Sequence, residues 1–149
     1  MKIFGTHVLD MAQQRAYQLL QDPEVLARCM PGCEALIRIG ENEYQMKMKM
    51  ALASFSGLFD GSVKIVEPEP PSSFRLIVEG KGKIGFMKGD GRLKLTPEGN
   101  GTKVAYEGDA QVGGTLAAVG QRLIDTTARL MIKRFFDKLA ENSSTATGT

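Results

Sequence analysis

The residues best suited to chemistry in this sequence are two cysteines and one histidine. Cys29 and Cys33 are separated by three residues, and His7 is the only histidine in the chain. A structural zinc site takes about four Cys or His ligands, and redox-active cysteine pairs usually have two residues between them. We therefore expect neither a metal site nor a disulfide here, and interpret the cysteines as thiols in a helix-to-strand corner.

Three methionines, Met46, Met48 and Met50, alternate with polar residues. Their soft thioethers suit Cu(I). In a strand, however, alternate side chains point to one face, and the flexible methionine side chain fills irregular apolar space. The pattern favours an inward-facing row over a copper site, and leaves open whether that row lines a packed core or a cavity.

The glycine-rich segment at residues 80–91 resembles a phosphate-binding loop only superficially. It lacks the Gly-Lys-Ser/Thr ending of such loops, and no helix follows it. Glycines within strands mark bulges or a close approach of the backbone. The segment therefore predicts an irregular hairpin, with the alternative that Phe86 and Met87 form an apolar flap at the mouth of a cavity.

No set of nucleophile, base and acid stands out. An enzyme would need polar side chains that converge inside the fold, and the available candidates are Tyr44, Tyr106, His7 and Arg75. With one histidine and no recognisable triad, we do not expect an enzyme, and we expect no cofactor.

The elements that must position these residues change period along the chain. A strand is predicted at residues 3–10, followed by a helix capped by Asp10 and a second helix that begins with Asp22-Pro23-Glu24. From residue 35 to residue 112 apolar residues alternate, which predicts a series of antiparallel strands. Loops or turns are expected at residues 54–57, 68–73 and 97–101.

Helical spacing of apolar residues predicts a long final helix over about residues 115–141. Gly120 lies on its apolar face, and residues 142–149 form a polar tail that we predict to be disordered. The helix also carries basic residues on its other face: Arg122, Arg129, Lys133, Arg134 and Lys138. These are explained either by a solvated face or by contact with anionic lipid.

Composition places these elements in one ordinary domain, predicted at residues 1–141. The chain has 149 residues and is 42% hydrophobic, enough to bury a core without disulfides. Its net charge of +2 is too small to indicate a nucleic-acid binder. No apolar run approaches the roughly 20 residues of a spanning helix, and no signal peptide is apparent. We therefore expect a cytoplasmic protein.

The order of elements predicts an α+β fold in which a curved antiparallel sheet of about six to seven strands surrounds the long helix. Such layers often leave an apolar cavity between them. We predict that this cavity is lined by apolar residues of both layers: Met46, Met48, Met50, Phe59, Phe74, Leu76, Phe86, Met87, Leu93, Tyr106, Leu123, Leu130, Met131 and Phe135.

Several strings in the sequence resemble the family of the carbon monoxide dehydrogenase G subunit. They occur in a characteristic order over about residues 1–140: Asp22-Pro23-Glu24-Val25-Leu26, Pro31-Gly32-Cys33-Glu34, Gly80-Lys81-Gly82, and Gln111-Val112-Gly113-Gly114 followed by Leu116-Ala117 and Arg122-Leu123-Ile124-Asp125. That family is part of the helix-grip superfamily of START-like and Bet v 1-like (SRPBCC) proteins.

The resemblance implies a hydrophobic tunnel between sheet and helix. It implies a non-catalytic accessory protein that binds a lipid or quinone and assists a molybdenum-containing hydroxylase or recruits it to the membrane. Contact with the inner face of the membrane would then be peripheral. The alternatives are an assembly protein without a ligand and, less in keeping with the residues, a START-like cyclase or hydrolase.

Overall fold

The computed structural model describes the backbone of residues 1–52 and 55–147 and the side chains of residues 1–49 and 57–141. Seven strands and three α-helices make up this part of the chain. In chain order they are β1 (Lys2–Leu9), α1 (Gln13–Leu19), α2 (Pro23–Cys29), β2 (Cys33–Gly40), β3 (Glu43–Leu52), β4 (Phe55–Glu69), β5 (Ser73–Gly82), β6 (Gly85–Glu98), β7 (Gly101–Gly113) and α3 (Gln121–Thr147).

The strands form one antiparallel sheet in the order β1-β7-β6-β5-β4-β3-β2. Successive strands from β2 to β7 are joined as hairpins, and β1 pairs with β7 through contacts such as Gly5 with Tyr106. Helices α1 and α2 connect the two edge strands, β1 and β2. The α+β fold with a curved sheet and a long C-terminal helix is therefore confirmed.

The two short helices begin differently. In α2 the Asp22 carboxylate accepts a hydrogen bond of 3.0 Å from the backbone N–H of Glu24, and Pro23 occupies the first turn, as the sequence predicts. The predicted cap at Asp10 is wrong. Helix α1 begins at Gln13 after Ala12, whose side chain has no oxygen with which to cap the helix.

The long helix begins later than predicted. Residues 114–119 form a 3-10 turn, and Gly120 then adopts a φ of +96°, which an α-helix does not allow. The predicted continuous helix from residue 115 is therefore wrong at its start, and α3 begins at Gln121. The helix continues to Thr147, so the predicted boundary between domain and tail at residue 141 falls within it and stays a prediction.

The strands are longer than the sequence pattern indicates. Strand β4 continues to Glu69, past the predicted start of the loop at Pro68, with an irregular register after Val66 and a φ of +51° at Glu67. Strands β5 and β6 pair without a break from residue 73 to residue 94. The glycine-rich segment is thus a regular hairpin, because the glycines allow close pairing instead of interrupting it.

Two turns also differ in extent. Strand β6 includes Pro97 and Glu98, which leaves a short turn before Gly101. The turn predicted at residues 54–57 begins in residues that lie outside the described part of the chain, and Phe55 onward belongs to β4. None of the helices in the described part combines the length and the apolar character needed to cross a bilayer.

Candidate functional site

A methionine cluster fills one end of the space between the sheet and α3. We define it by its buried members: Met46, Met48, Phe59, Val63 and Leu116. Met46 and Met48 alternate with exposed Lys47 and Lys49 on β3, so the predicted inward row is present for these two. Partly buried apolar side chains that include Leu76, Met87 and Met131 pack against the cluster.

An aromatic cluster occupies the β1 side of the same space and consists of His7, Tyr106, Phe135 and Phe136. The ring centroids of His7 and Phe136 are 4.3 Å apart, those of His7 and Tyr106 are 5.9 Å apart, and both ring pairs are stacked. Phe135 meets Phe136 edge to face at 5.3 Å. Phe74 and Leu93 belong to the larger buried core of the domain, which also includes Phe136.

Between these two clusters the inward residues of the sheet have no side chain larger than a methyl group. The inward positions of β6 and β7 there are Gly89, Gly91, Gly108 and Ala110, which we call the glycine strip; Gly89 pairs with Ala110 and Gly91 with Gly108. A Cβ placed on Gly89 would have a single described atom within 4 Å outside its chain neighbours, a backbone oxygen at 4.0 Å. Apart from the chain neighbours, no described side-chain atom therefore lies within 4 Å of this position.

Gly108 differs from Gly89 because the backbone of the neighbouring strand lies close to it. A Cβ there would lie 2.7 Å from the backbone oxygen of Asp90 and 2.9 Å from the Cα of Gly91. The backbones of β6 and β7 therefore come too close for any side chain at this position. Gly108 is needed for the approach of the two strands, whereas Gly89 leaves room above them.

Helix α3 faces the sheet with a set of residues that differs in part from the predicted one. Leu123 and Leu130 are 36% and 45% exposed, so their predicted place in the wall of the cavity is wrong. Because α3 starts at Gln121 and turns by about 100° per residue, the inward face instead contains Ile124, Met131 and Phe135. Met131 and Phe135 therefore lie on the inward face, and their contact with a ligand stays a prediction.

Phe86, another predicted lining residue, lies outside the space between the sheet and α3. Phe86 is 40% exposed and points to the outer face of the sheet, where its ring covers Gly113 on the neighbouring strand. Its predicted position in the cavity is wrong because Met87, not Phe86, has the inward parity on β6. The side chain of Met50 lies outside the described side chains.

Two concavities of the described residues lie elsewhere. One of about 330 Å³ is lined on the outer face by residues such as Ile37, Lys47 and Asp60. The other, of about 480 Å³, lies at the β5–β6 hairpin beside Lys83 and Phe86. Neither is lined by a residue of α3.

The polar candidates from the sequence separate into different places. His7 and Tyr106 meet on the inner face, while Tyr44 is buried in the core on β3. Arg75 lies on the outer face, where its Nε donates a hydrogen bond of 2.7 Å to Asp90 and lowers the pKa of that carboxyl group. The predicted candidates therefore do not converge as one polar site.

Burial sets the protonation of the inner-face groups. It lowers the pKa of His7, an effect that the carboxylate of Asp137 opposes and the ammonium group of Lys133 reinforces. Burial also raises the pKa of Tyr106, against a smaller opposite effect of Arg129. At neutral pH both side chains are uncharged.

The cysteines occupy the predicted corner. Neither is in a disulfide, and Cys29 is fully buried at the end of α2. Burial raises the pKa of the Cys33 thiol, which donates a hydrogen bond to the Ala35 carbonyl oxygen. A thiol with a raised pKa is a poor nucleophile at neutral pH.

Within the described residues no three His, Cys, Asp or Glu side chains are grouped as metal ligands.

The sequence interpretation missed the residues that create the open space. The signal was available, because the inward positions of β6 between Met87 and Leu93 are both glycine, Gly89 and Gly91. Two further inward residues, Ile124 and Phe136, were missed. The predicted helix included residues 115–120, so its apolar face was set partly by residues that precede α3.

Solved structures support the fold along nearly the whole chain. A conserved protein from Geobacillus kaustophilus is 31% identical, with a TM-score of 0.93 over 98% of this chain and 97% of that one. A START superfamily protein from Mycobacterium smegmatis is 12% identical, with a TM-score of 0.74 over 97% and 98%. A protein from Thermus thermophilus is 16% identical, with a TM-score of 0.71 over 98% and 99%.

A search of curated proteins finds no match. The family model for the carbon monoxide dehydrogenase G subunit (CoxG), in contrast, matches residues 5–144, which include every strand of the sheet at least in part and most of α3. The chain therefore belongs to the CoxG family and has a START-like fold.

Proposed function

We propose that this protein is a non-catalytic carrier that encloses an apolar small molecule, a lipid or a quinone, between its sheet and α3. The observation that carries the proposal is the glycine strip, which leaves unfilled space between two apolar clusters. A binding site for an apolar ligand is concave and lined mainly by apolar side chains, and the open position at Gly89 between the two clusters supports such a site.

The chemistry of the surrounding side chains supports the same function. Met46, Met48, Met87 and Met131 all contribute to the cluster at one end of the space. Methionine side chains adapt to different apolar shapes at little cost. We propose that the lining residues of this cluster and of the aromatic cluster contact the ligand.

The family match supports a proposal for the partner. We propose that the protein assists a molybdenum-containing hydroxylase of the carbon monoxide dehydrogenase type, which the family name supports. It would act in the cytoplasm and approach the membrane peripherally. The exposed Leu123 and Leu130, which lie beside the basic Arg122 and Arg134 on α3, offer an amphipathic surface for this approach.

Native mass spectrometry of the purified protein, followed by solvent extraction and identification of what is released, tests the carrier function. We expect an apolar molecule to be retained through purification and released only on denaturation. Protein that carries no such molecule, and that takes up none from lipid vesicles containing quinone, would contradict the proposal.

A second candidate is an assembly protein that binds no ligand. The two concavities on the outer face and at the β5–β6 hairpin favour it, because they offer contact surfaces to which α3 contributes no residue. Copurification with the hydroxylase is expected for both the carrier and the assembly protein, so the loading state of the protein distinguishes them. An empty protein that still forms the complex supports assembly, and a complex that forms only with loaded protein supports the carrier.

A further inference from the structure

Two polar side chains lie together on the inner face of the sheet, at the seam between β1 and α3. The hydroxyl group of Tyr106 lies over Gly5, whose missing side chain leaves room for the ring. His7 is the next inward residue of β1, and its ring is stacked with those of Tyr106 and Phe136, whose centroids are themselves 6.2 Å apart. The pair borders the glycine strip, because Tyr106 and Gly108 are successive inward residues of β7.

Within the described part of the chain, no hydrogen bond engages the Tyr106 hydroxyl group or the His7 ring. Tyr17 shows the usual arrangement, since its hydroxyl group donates to the Ser73 carbonyl oxygen at 3.0 Å. The two side chains therefore offer hydrogen-bonding capacity that the protein itself does not use.

The surroundings of the pair are close to neutral. The charged groups nearest to it on α3 are paired with each other: Lys133 with Asp137 at 3.0 Å, and Arg129 with Asp125 at 3.0 Å. Arg129 also lies over the Phe4 ring, 5.8 Å from its centroid. With an uncharged imidazole and phenol, the pair suits a neutral oxygen and gives no net positive charge to a carboxylate.

We infer that His7 and Tyr106 form the polar end of the ligand site and hydrogen-bond a neutral carbonyl or hydroxyl oxygen on an otherwise apolar molecule. This inference rests on the proposed carrier function and specifies its ligand class. The apolar part of the ligand lies over the glycine strip toward the methionine cluster. A site that offers a hydrogen bond to an oxygen discriminates against analogues that lack it.

Three probes of equal chain length test the inference: decane, decanol and decanoate. They are titrated by calorimetry into protein from which bound apolar molecules have been extracted. The variants Tyr106→Phe and His7→Phe each remove a polar group and keep an aromatic ring. Tyr44→Phe is the matched control, because it removes a phenol hydroxyl group from the inner face of β3, away from the β1 edge.

We expect native protein to bind decanol more tightly than decane or decanoate. Each test variant should weaken decanol binding by about 3- to 10-fold, the effect of one lost hydrogen bond, and leave decane binding unchanged. The control should bind all three probes as native protein does. Urea titration of each variant shows that it remains folded under the conditions of the assay.

Two results would overturn the inference while the carrier function stands: decanol binding that both variants retain in full, or a preference of native protein for decanoate. Failure of native protein to bind any of the three probes would instead contradict the carrier function itself. The two failures are therefore distinguishable in one set of titrations.

Discussion

The inward positions of β6 set how much space remains above the sheet. At Gly89 and Gly91 the contacts of an added Cβ are backbone atoms at 3.5 Å or beyond, whereas at Gly108 the same atom would meet backbone at 2.7 Å. Glycine thus has two different roles on adjacent strands. On β6 it leaves space above the sheet, and on β7 it lets two strands approach each other.

This difference predicts unequal effects of the same substitution on stability. Gly89→Val should change the free energy of unfolding by less than about 1 kcal/mol, because a branched residue suits a strand and the space is open. Gly108→Val should reduce it by about 1 to 3 kcal/mol, since the strand backbones must separate. Urea denaturation measures both, and equal losses in the two variants would show that the space above Gly89 is filled.

His7 predicts a dependence of stability on pH. Because burial lowers the pKa of His7 in the folded protein, the unfolded chain, with a pKa near the usual value of about 6.5, binds a proton more readily. The stability that uncharged His7 contributes should therefore be fully present above that pH, and it should be lost as the pH falls through the lower, folded-state pKa. Denaturation at several pH values checks this.

The matched variant for that experiment is His7→Phe, which keeps a ring against Phe136 but cannot be protonated. Its stability should change less than that of the native protein between neutral and mildly acidic pH. The same pH dependence in both proteins would show that other titratable groups cause the effect.

At the scale of elements, sequence periodicity predicted what depends on local pattern. The alternation in β3 and the Asp22-Pro23 helix start were confirmed because each is decided by a few neighbouring residues. The beginning of α3 was not predictable in this way. Its position depends on Gly120, whose positive φ ends the 3-10 turn, and a glycine within an apolar helical pattern gives no sign of that conformation.

The same limit explains the errors in the candidate site. Periodicity assigned Leu123 and Leu130 to the inward face because the helix was assumed to start earlier, and it could not show which inward positions meet across the fold. The pairing of His7 with Tyr106 depends on β1 joining β7, the last strand of the sheet in sequence. Contacts between such distant residues are not encoded in any local pattern.

The break at Gly120 predicts a localised cost of substitution. A Cβ at Gly120 meets no described atom within 4 Å, so the effect of Gly120→Ala arises from the backbone alone. With φ at +96° and ψ at +144°, a residue with a side chain is strained by about 1 to 3 kcal/mol. Urea denaturation should show a loss of that size.

Gly99 provides the control for this variant. It also has a positive φ, +58°, and open space around it, but this value lies in the left-handed region that asparagine tolerates. Gly99→Asn should therefore cost less than Gly120→Ala. If both variants were as stable as the native protein, the junction before α3 would not have the conformation described.

For the whole molecule, the seven-stranded sheet and α3 form two layers that meet closely at the aromatic and methionine clusters and leave the glycine strip between them. The family match and the START-like neighbours show the fold but do not identify a ligand. The proposed carrier function needs a site that is apolar and still accessible. The partly exposed Met87 and Met131 at the rim of the methionine cluster satisfy that need.

The proposed carrier function requires that an apolar molecule bind above the glycine strip. The most direct test compares uptake of the neutral apolar dye Nile red by native protein, by Gly89→Leu, which fills the space, and by Lys88→Leu, which adds the same side chain to the outer face. We predict saturable binding to native protein and Lys88→Leu and at least a tenfold weaker affinity in Gly89→Leu, from steric exclusion worth about 1.4 kcal/mol or more. Equal binding by all three folded proteins would contradict it.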